Sequence, residues 1–218
     1  MARVRSAPGG GRIVEVEPER LPKWVANFAG RNGGIASHRA RDDSWTIESQ
    51  DGPVASVRWA LATGIPAGWL LTGGPAEVAE RLRDHALEPR RLGVLLARKG
   101  AYSVGIVVDG RIEVSKTGTA YVQGRTKAGG QSQQRFARRR EGQAKAAGKR
   151  AAESVVAVLA NADLDALVTG GSVDAILDDP RLRHLSATVH VGDIGEPRQR
   201  LLQQTAHRAI GFDIHLPD

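Results

Sequence analysis

The sequence predicts an α/β fold: a mixed β-sheet carrying one long, projecting basic helix, preceded by a smaller α+β N-terminal part. Three observations carry this. Closely spaced strand patterns run from Leu92 to Lys116 around an Asp109-Gly110 turn, a proline-free run follows over Ser132 to Leu159, and strand and helix patterns then alternate up to Ala209.

In the N-terminal part, Arg12 to Val16 reads as a short strand. The helix after it places Leu21, Trp24, Val25 and Phe28 on one face, and Gly30 with Gly33-Gly34 is expected to end it. Ser44 to Ser49 and Val54 to Leu61 alternate as strands, with Asp51-Gly52 turning the chain between them. Pro75 to Ala86 is a helix with proline in its favoured first turn and Val78, Leu82 and Ala86 along one side. The four tryptophans, Trp24, Trp45, Trp59 and Trp69, all fall in this part and read as core residues.

Strands are then expected at Leu92 to Ala97, Tyr102 to Val108 and Arg111 to Lys116. Asp109-Gly110 suits a type I′ turn, which needs positive φ at both central residues. An extended piece, Thr119 to Gln123, leads to a loop at Gly124 to Gln131. Ser132 to Leu159 reads as one helix of roughly 40 Å, at about 1.5 Å per residue. Its distal half is expected to be buried through Ala151, Ala152, Val155, Val156 and Leu159, and Gly142 and Gly148 each weaken it by about 1 kcal/mol relative to alanine. A strand (Ala166 to Thr169), a short helix (Val173 to Leu177), a strand (Ser186 to Val191) and a helix (Pro197 to Ala209) complete the pattern.

At 218 residues with 41% apolar content the chain can bury a core without metal or disulfide support. It has no cysteine, which excludes disulfides and thiolate metal sites. Without a secretory h-region or a run of membrane-spanning length, a cytoplasmic location is expected. Met1 to Arg12 reads as a disordered tail, residues 13–91 as the N-terminal part and residues 92–218 as the C-terminal domain.

Charge is concentrated. The net charge is +7, yet Gln123 to Arg150 alone carries +8, leaving −1 for the rest of the chain. A local basic device of this kind points to a polyanionic partner such as RNA. By that argument Arg125, Lys127, Arg135, Arg138, Arg139 and Arg140 are the candidate phosphate-neutralising residues, giving affinity without sequence readout and a steep salt dependence. Phe136 beside them reads as a packing residue.

Within the same segment, the run Lys127-Ala128-Gly129-Gly130-Gln131-Ser132-Gln133-Gln134-Arg135-Phe136-Ala137-Arg138-Arg139-Arg140-Glu141 closely resembles the catalytic loop and following helix of eukaryotic and archaeal class I peptide-chain release factors. The resemblance extends over about Leu92 to His207. It implies a ribonuclease-H-like α/β domain that hydrolyses peptidyl-tRNA, with the large ribosomal subunit, peptidyl-tRNA and ribosomal RNA as partners and no cofactor. Residues 1–91 carry no Asn-Ile-Lys-Ser stop-codon-reading motif. The combination therefore resembles the stop-codon-independent, Vms-like peptidyl-tRNA hydrolases, including actinobacterial members, which free nascent chains from stalled ribosomes.

The residues themselves allow this chemistry. Gly129 and Gly130 open backbone angles closed to other residues and permit close approach to RNA, so the Gln131 N–H can be aimed at the reacting ester. A donor placed where charge develops in the transition state is worth about 2.7–4 kcal/mol. The Gln131 amide can orient a water but is no strong base. The catalytic candidates are thus Gly129, Gly130 and Gln131.

Two other classes of function compete. A non-catalytic ribosome- or RNA-binding protein would keep the basic helix for affinity alone. A metal-dependent nuclease could draw on Asp109, Glu113 or Asp174, but these fall at a turn, a strand and a helix start, and the six histidines show no metal-ligand spacing, so no metal is expected.

Overall fold

The computed structural model describes residues 3–41, 44–61, 72–98, 100–119, 148–192 and 194–218. They form two compact units, one of Met1–Pro89 with His207–Asp218 and one of Arg90–Ala206. Each unit is built on its own sheet, giving a mixed α/β architecture. Among the described residues no helix is long and apolar enough to cross a membrane.

The first unit contains strands β1 (Arg3–Ser6), β2 (Arg12–Val16), β3 (Ile35–Arg41), β4 (Ser44–Ser49) and β5 (Val54–Trp59), with helices α1 (Leu21–Arg31) and α2 (Pro75–Ala86). Its sixth strand, β11 (Phe212–Leu216), comes from the far end of the chain, and the sheet order is β1-β2-β11-β5-β4-β3 with antiparallel pairing throughout. Alternation decides what is buried: Val14, Val16, Trp45, Ile47, Val57, Phe212 and Ile214 all face inward. Trp59 satisfies its indole N–H by donating to the Ile210 carbonyl at 2.8 Å, which ties β5 to the turn before β11.

Four expectations need correction. Met1 to Arg12 is not a disordered tail throughout, because Arg3 to Ser6 pairs with Arg12 to Glu15 as a hairpin strand. The C-terminal domain does not run to residue 218: β11 lies between β2 and β5, where Phe212 and Ile214 find the apolar cover their side chains require. Helix α1 continues through Gly30 to Arg31, and the Asn32 side chain donates to the Phe28 carbonyl at 2.7 Å at its end. Trp24 is only half-buried, stacked on Phe28 with centroids 5.4 Å apart, while Trp45 and Trp59 are core residues and Trp69 lies outside the described residues.

The second unit holds β6 (Arg91–Arg98), β7 (Ala101–Val108), β8 (Arg111–Thr119), helix α3 (148–159), β9 (Ala166–Gly171), the short α4 (Asp174–Leu177), β10 (Val189–Val191) and most of α5 (Gln199–Ala209). The sheet order is β10-β9-β6-β7-β8. Strands β6, β7 and β8 form an antiparallel meander, whereas β9 and β10 add in parallel on the other side of β6. This is the mixed sheet expected from the sequence; the basic half of the expected long helix lies outside the described residues. The Asp109-Gly110 turn has φ of 48° and 70°, as a type I′ hairpin demands.

Strand β6 is buried from Leu92 to Ala97. Leu95 and Ala97 join Val104, Ile106 and Leu167 beneath the Ala151, Ala152, Val155, Val158 and Leu159 face of α3. Val158 takes the buried place expected of Val156, which is half-buried. On the opposite face Leu202 of α5 closes over Gly105, the register partner of Val94. Gln199 and Gln203 of α5 donate to the Ser115 hydroxyl and the Gly110 carbonyl.

Glycine substitutions should discriminate two environments. Gly171 has φ +73° and a Cβ there would strike the Ala97 carbonyl, whereas a Cβ at Gly148 meets nothing within 4 Å. Gly171→Ala is expected to lower the unfolding free energy by about 2–3 kcal/mol, and Gly148→Ala to raise it by about 0.5–1 kcal/mol. Urea titration measures both; effects of the same sign would contradict this packing.

Candidate functional site

The catalytic candidates Gly129, Gly130 and Gln131, and the phosphate-binding candidates Arg125, Lys127, Arg135, Arg138, Arg139 and Arg140, lie outside the described residues. What can be built upward is the scaffold on either side of them. The first limb is β8, which runs out to Thr119 opposite Ala101. The second is α3, described from residue 148.

Both limbs belong to one end of the sheet. Ala101 pairs with Arg98 at the close of β6, and Ala97 with Gly171 at the close of β9. Helix α3 runs the other way: Ser154 lies beside Tyr102 near that end, and Leu159 packs over Gly93 near the start of β6. Thr119 and the first described turn of α3 therefore both lie toward the carboxyl end of the parallel pair β6 and β9, the end at which open α/β sheets place their ligands.

Three contacts fix the limbs there. The Tyr102 and Ser154 hydroxyls share a hydrogen bond of 2.7 Å, joining β7 to α3. The Tyr102 ring covers Gly118 so closely that a Cβ there would stand 2.6 Å from its Cζ and Oη, so β8 can pass only as glycine. On the opposite face the Ser103 and Thr117 hydroxyls bond at 2.9 Å.

An ion-pair clamp holds the outer side of α3. Arg181 donates to both carboxylate oxygens of Glu153 at 3.0 and 3.1 Å and to those of Asp179 at 2.8 and 2.9 Å. The Arg181 side chain, helped by its backbone N–H, holds the Asp179 carboxyl down at about 2, and it lowers Glu153 as well.

The sequence alone points to none of Tyr102, Gly118, Ser154 and Arg181 as part of the site. The register that brings Tyr102 to Gly118 depends on a bulge between Ile106 and Val107, where Val107 faces Ile112 but Ile106 faces Val114. An unbroken hairpin counted from Asp109-Gly110 would set Tyr102 against Thr117. The only signal available is Gly118 itself, a glycine within a strand pattern.

The acids weighed for a metal site are not gathered. Asp109 sits in the turn, Glu113 at the bulge pairs with Arg91 at 2.6 Å, and Asp174 opens α4. Among the described residues no three His, Asp or Glu side chains form a group able to hold a metal ion.

Residues 90–215 match the family model described as the actinobacteria/chloroflexi VLRF1 release factor. No curated protein matches the chain. Among solved structures, the crystal structure of Archaeoglobus fulgidus Pelota, which reveals inter-domain structural plasticity, is similar at 12% identity with a TM-score of 0.29, over 96% of this chain and 66% of that one. The chain thus spans just under two thirds of that protein's length.

The clamp makes a pH-dependent expectation. A depressed carboxyl stabilises the folded state above its ordinary range and loses that contribution as pH falls toward its folded value. The stability difference between wild type and Arg181→Gln should therefore be present at pH 7 and shrink between about pH 4 and pH 2. Carboxyl-carbon NMR should show Asp179 titrating at about 2 in the wild type and higher in Arg181→Gln, where only the backbone N–H of residue 181 still donates to it. An Asp179 midpoint unmoved by the substitution would remove the clamp from the account.

Proposed function

Because the chain belongs to the actinobacteria/chloroflexi VLRF1 release-factor family, we propose that it is a ribosome-dependent peptidyl-tRNA hydrolase that frees nascent chains from stalled large-subunit complexes without reading a stop codon. Membership makes it a translation factor; the finer assignment is our reading. One observation carries it. The Gly129-Gly130-Gln131 run with its arginine-rich continuation falls inside the matched residues, between Thr119 at the end of β8 and residue 148 of α3.

In this reading the ribosome supplies the site and this chain supplies the loop. Water adds to the carbonyl carbon of the ester linking peptide to tRNA, the bond to the ribose oxygen breaks, and that oxygen leaves with a proton. Gly129 and Gly130 let the backbone approach the ester, and the Gln131 N–H stabilises the oxyanion as it forms. The Gln131 side chain orients the water. General-base help comes from the tRNA or ribosome, since glutamine cannot supply it. Arg125, Lys127, Arg135, Arg138, Arg139 and Arg140 neutralise ribosomal RNA or tRNA phosphates and so hold the loop in place. Such work is cytoplasmic, needs no cofactor, and leaves residues 1–89 to contact ribosomal RNA or protein rather than a codon.

Chemistry and affinity should separate on substitution. Gly130→Ala removes no charge, so it should cut peptide release by about a hundredfold or more while large-subunit association stays within about twofold. Replacing Arg138, Arg139 and Arg140 together by alanine should instead weaken association and reduce the slope of log affinity against log salt by about 2–3. Gln131→Ala should fall between wild type and Gly130→Ala in release. Release at the wild-type rate by Gly130→Ala would remove the loop from catalysis.

A further inference from the structure

Tyr102 stands between the two limbs of the candidate site. Its ring lies on Gly118 of β8, one residue before the strand ends at Thr119, and its hydroxyl bonds Ser154 of α3 at 2.7 Å. Serine within a helix commonly returns its hydroxyl to its own backbone or to water. In this helix the hydroxyl is tied to a strand instead. The buried surface of α3 is otherwise apolar, made by Ala151, Ala152, Val155, Val158 and Leu159, with the Glu153–Arg181 pair on its outer side. The hydrophobic effect is non-directional. A hydrogen bond at this distance weakens steeply once its angle is lost, so it adds a directional restraint on the azimuth and tilt of the helix.

We infer that Tyr102 is a positioning residue: through Ser154 and Gly118 it fixes the direction in which α3 and β8 present the segment carrying Gly129 to Gln131. This rests on the proposed hydrolase function. A misplacement of about 1 Å from a change far from the chemistry can reduce rate by about a hundredfold. A positioning role also accounts for two features otherwise unexplained, a glycine inside β8 and a tyrosine hydroxyl spent on a helix serine.

The test has two arms. In peptide release from stalled large subunits, Tyr102→Phe keeps the ring and removes only the hydroxyl. It is expected to lower kcat about tenfold with KM within about twofold, and Ser154→Ala to do the same. The double variant should be no slower than either single, because both remove one bond. The second arm is independent of release. The chain has no cysteine, so spin labels at R111C and Q134C are unique, and their distance distribution should shift in Tyr102→Phe and in Ser154→Ala. A merely structural bond would lower Tm and leave both kcat per folded molecule and the distance unchanged, which overturns the inference. Losses that multiply in the double variant also overturn it. If the wild type releases nothing, the functional reading fails, and the distance arm alone decides whether Tyr102 sets the helix direction.

Discussion

Strand β6 is buried on both faces from Leu92 to Ala97, and the second unit follows from that constraint. A strand with no polar face must be covered twice, which is why Leu95 and Ala97 require α3 on one side and Val94 with its neighbour Gly105 requires α5 on the other. Because β9 lies parallel to β6, the connection from β8 must cross over the sheet, and α3 is the covering element of that crossover. Its direction, antiparallel to β6, is what brings residue 148 back to the end of the sheet that Thr119 has just left. The position of the candidate site is thus a by-product of covering β6.

Much of this unit was legible in the sequence because its signals are local. Asp109-Gly110 demands positive φ and has it, the apolar positions of α3 fall on one face, and β6, β7 and β9 were each expected within a few residues of their observed bounds. What could not be read depends on partners distant in sequence. Strand β11 has only five residues, and its burial depends on β2 and β5, roughly two hundred and one hundred and fifty positions away. Strand β1 is exposed along its length and is recognisable only through its pairing with β2. Strand β3 is hard to read for a similar reason, since Ile35–Arg41 is half polar and sits at the sheet edge, paired with β4. The bulge opposite Ile106 shifted every pair beyond it by one, which hid Tyr102 facing Gly118.

The candidate site was legible in a different way. Gly129-Gly130-Gln131 and the arginines after it stood out by motif and by charge concentration, both properties of the chain rather than of its folding. Family membership over residues 90–215 agrees with the motif's setting. The described structure adds contacts around the two limbs: the Tyr102–Ser154 bond, the Gly118 passage and the Arg181 clamp on Glu153. None of these is a sequence motif, because each joins residues on separate elements. Precise chemistry by a short backbone segment needs such a supporting shell.

In the function proposed above, this chain promotes attack of water on the peptidyl ester and leaves the RNA strand whole. The most direct measurement is release from isolated large subunits bearing peptidyl-tRNA and no stop codon, run in oxygen-18 water and followed by mass spectrometry of both products. The account predicts a free peptide carrying one solvent oxygen in its terminal carboxylate, together with tRNA of full length. A peptide still esterified to nucleotides, or a shortened tRNA, would mean that the RNA strand is what is cut and would contradict it.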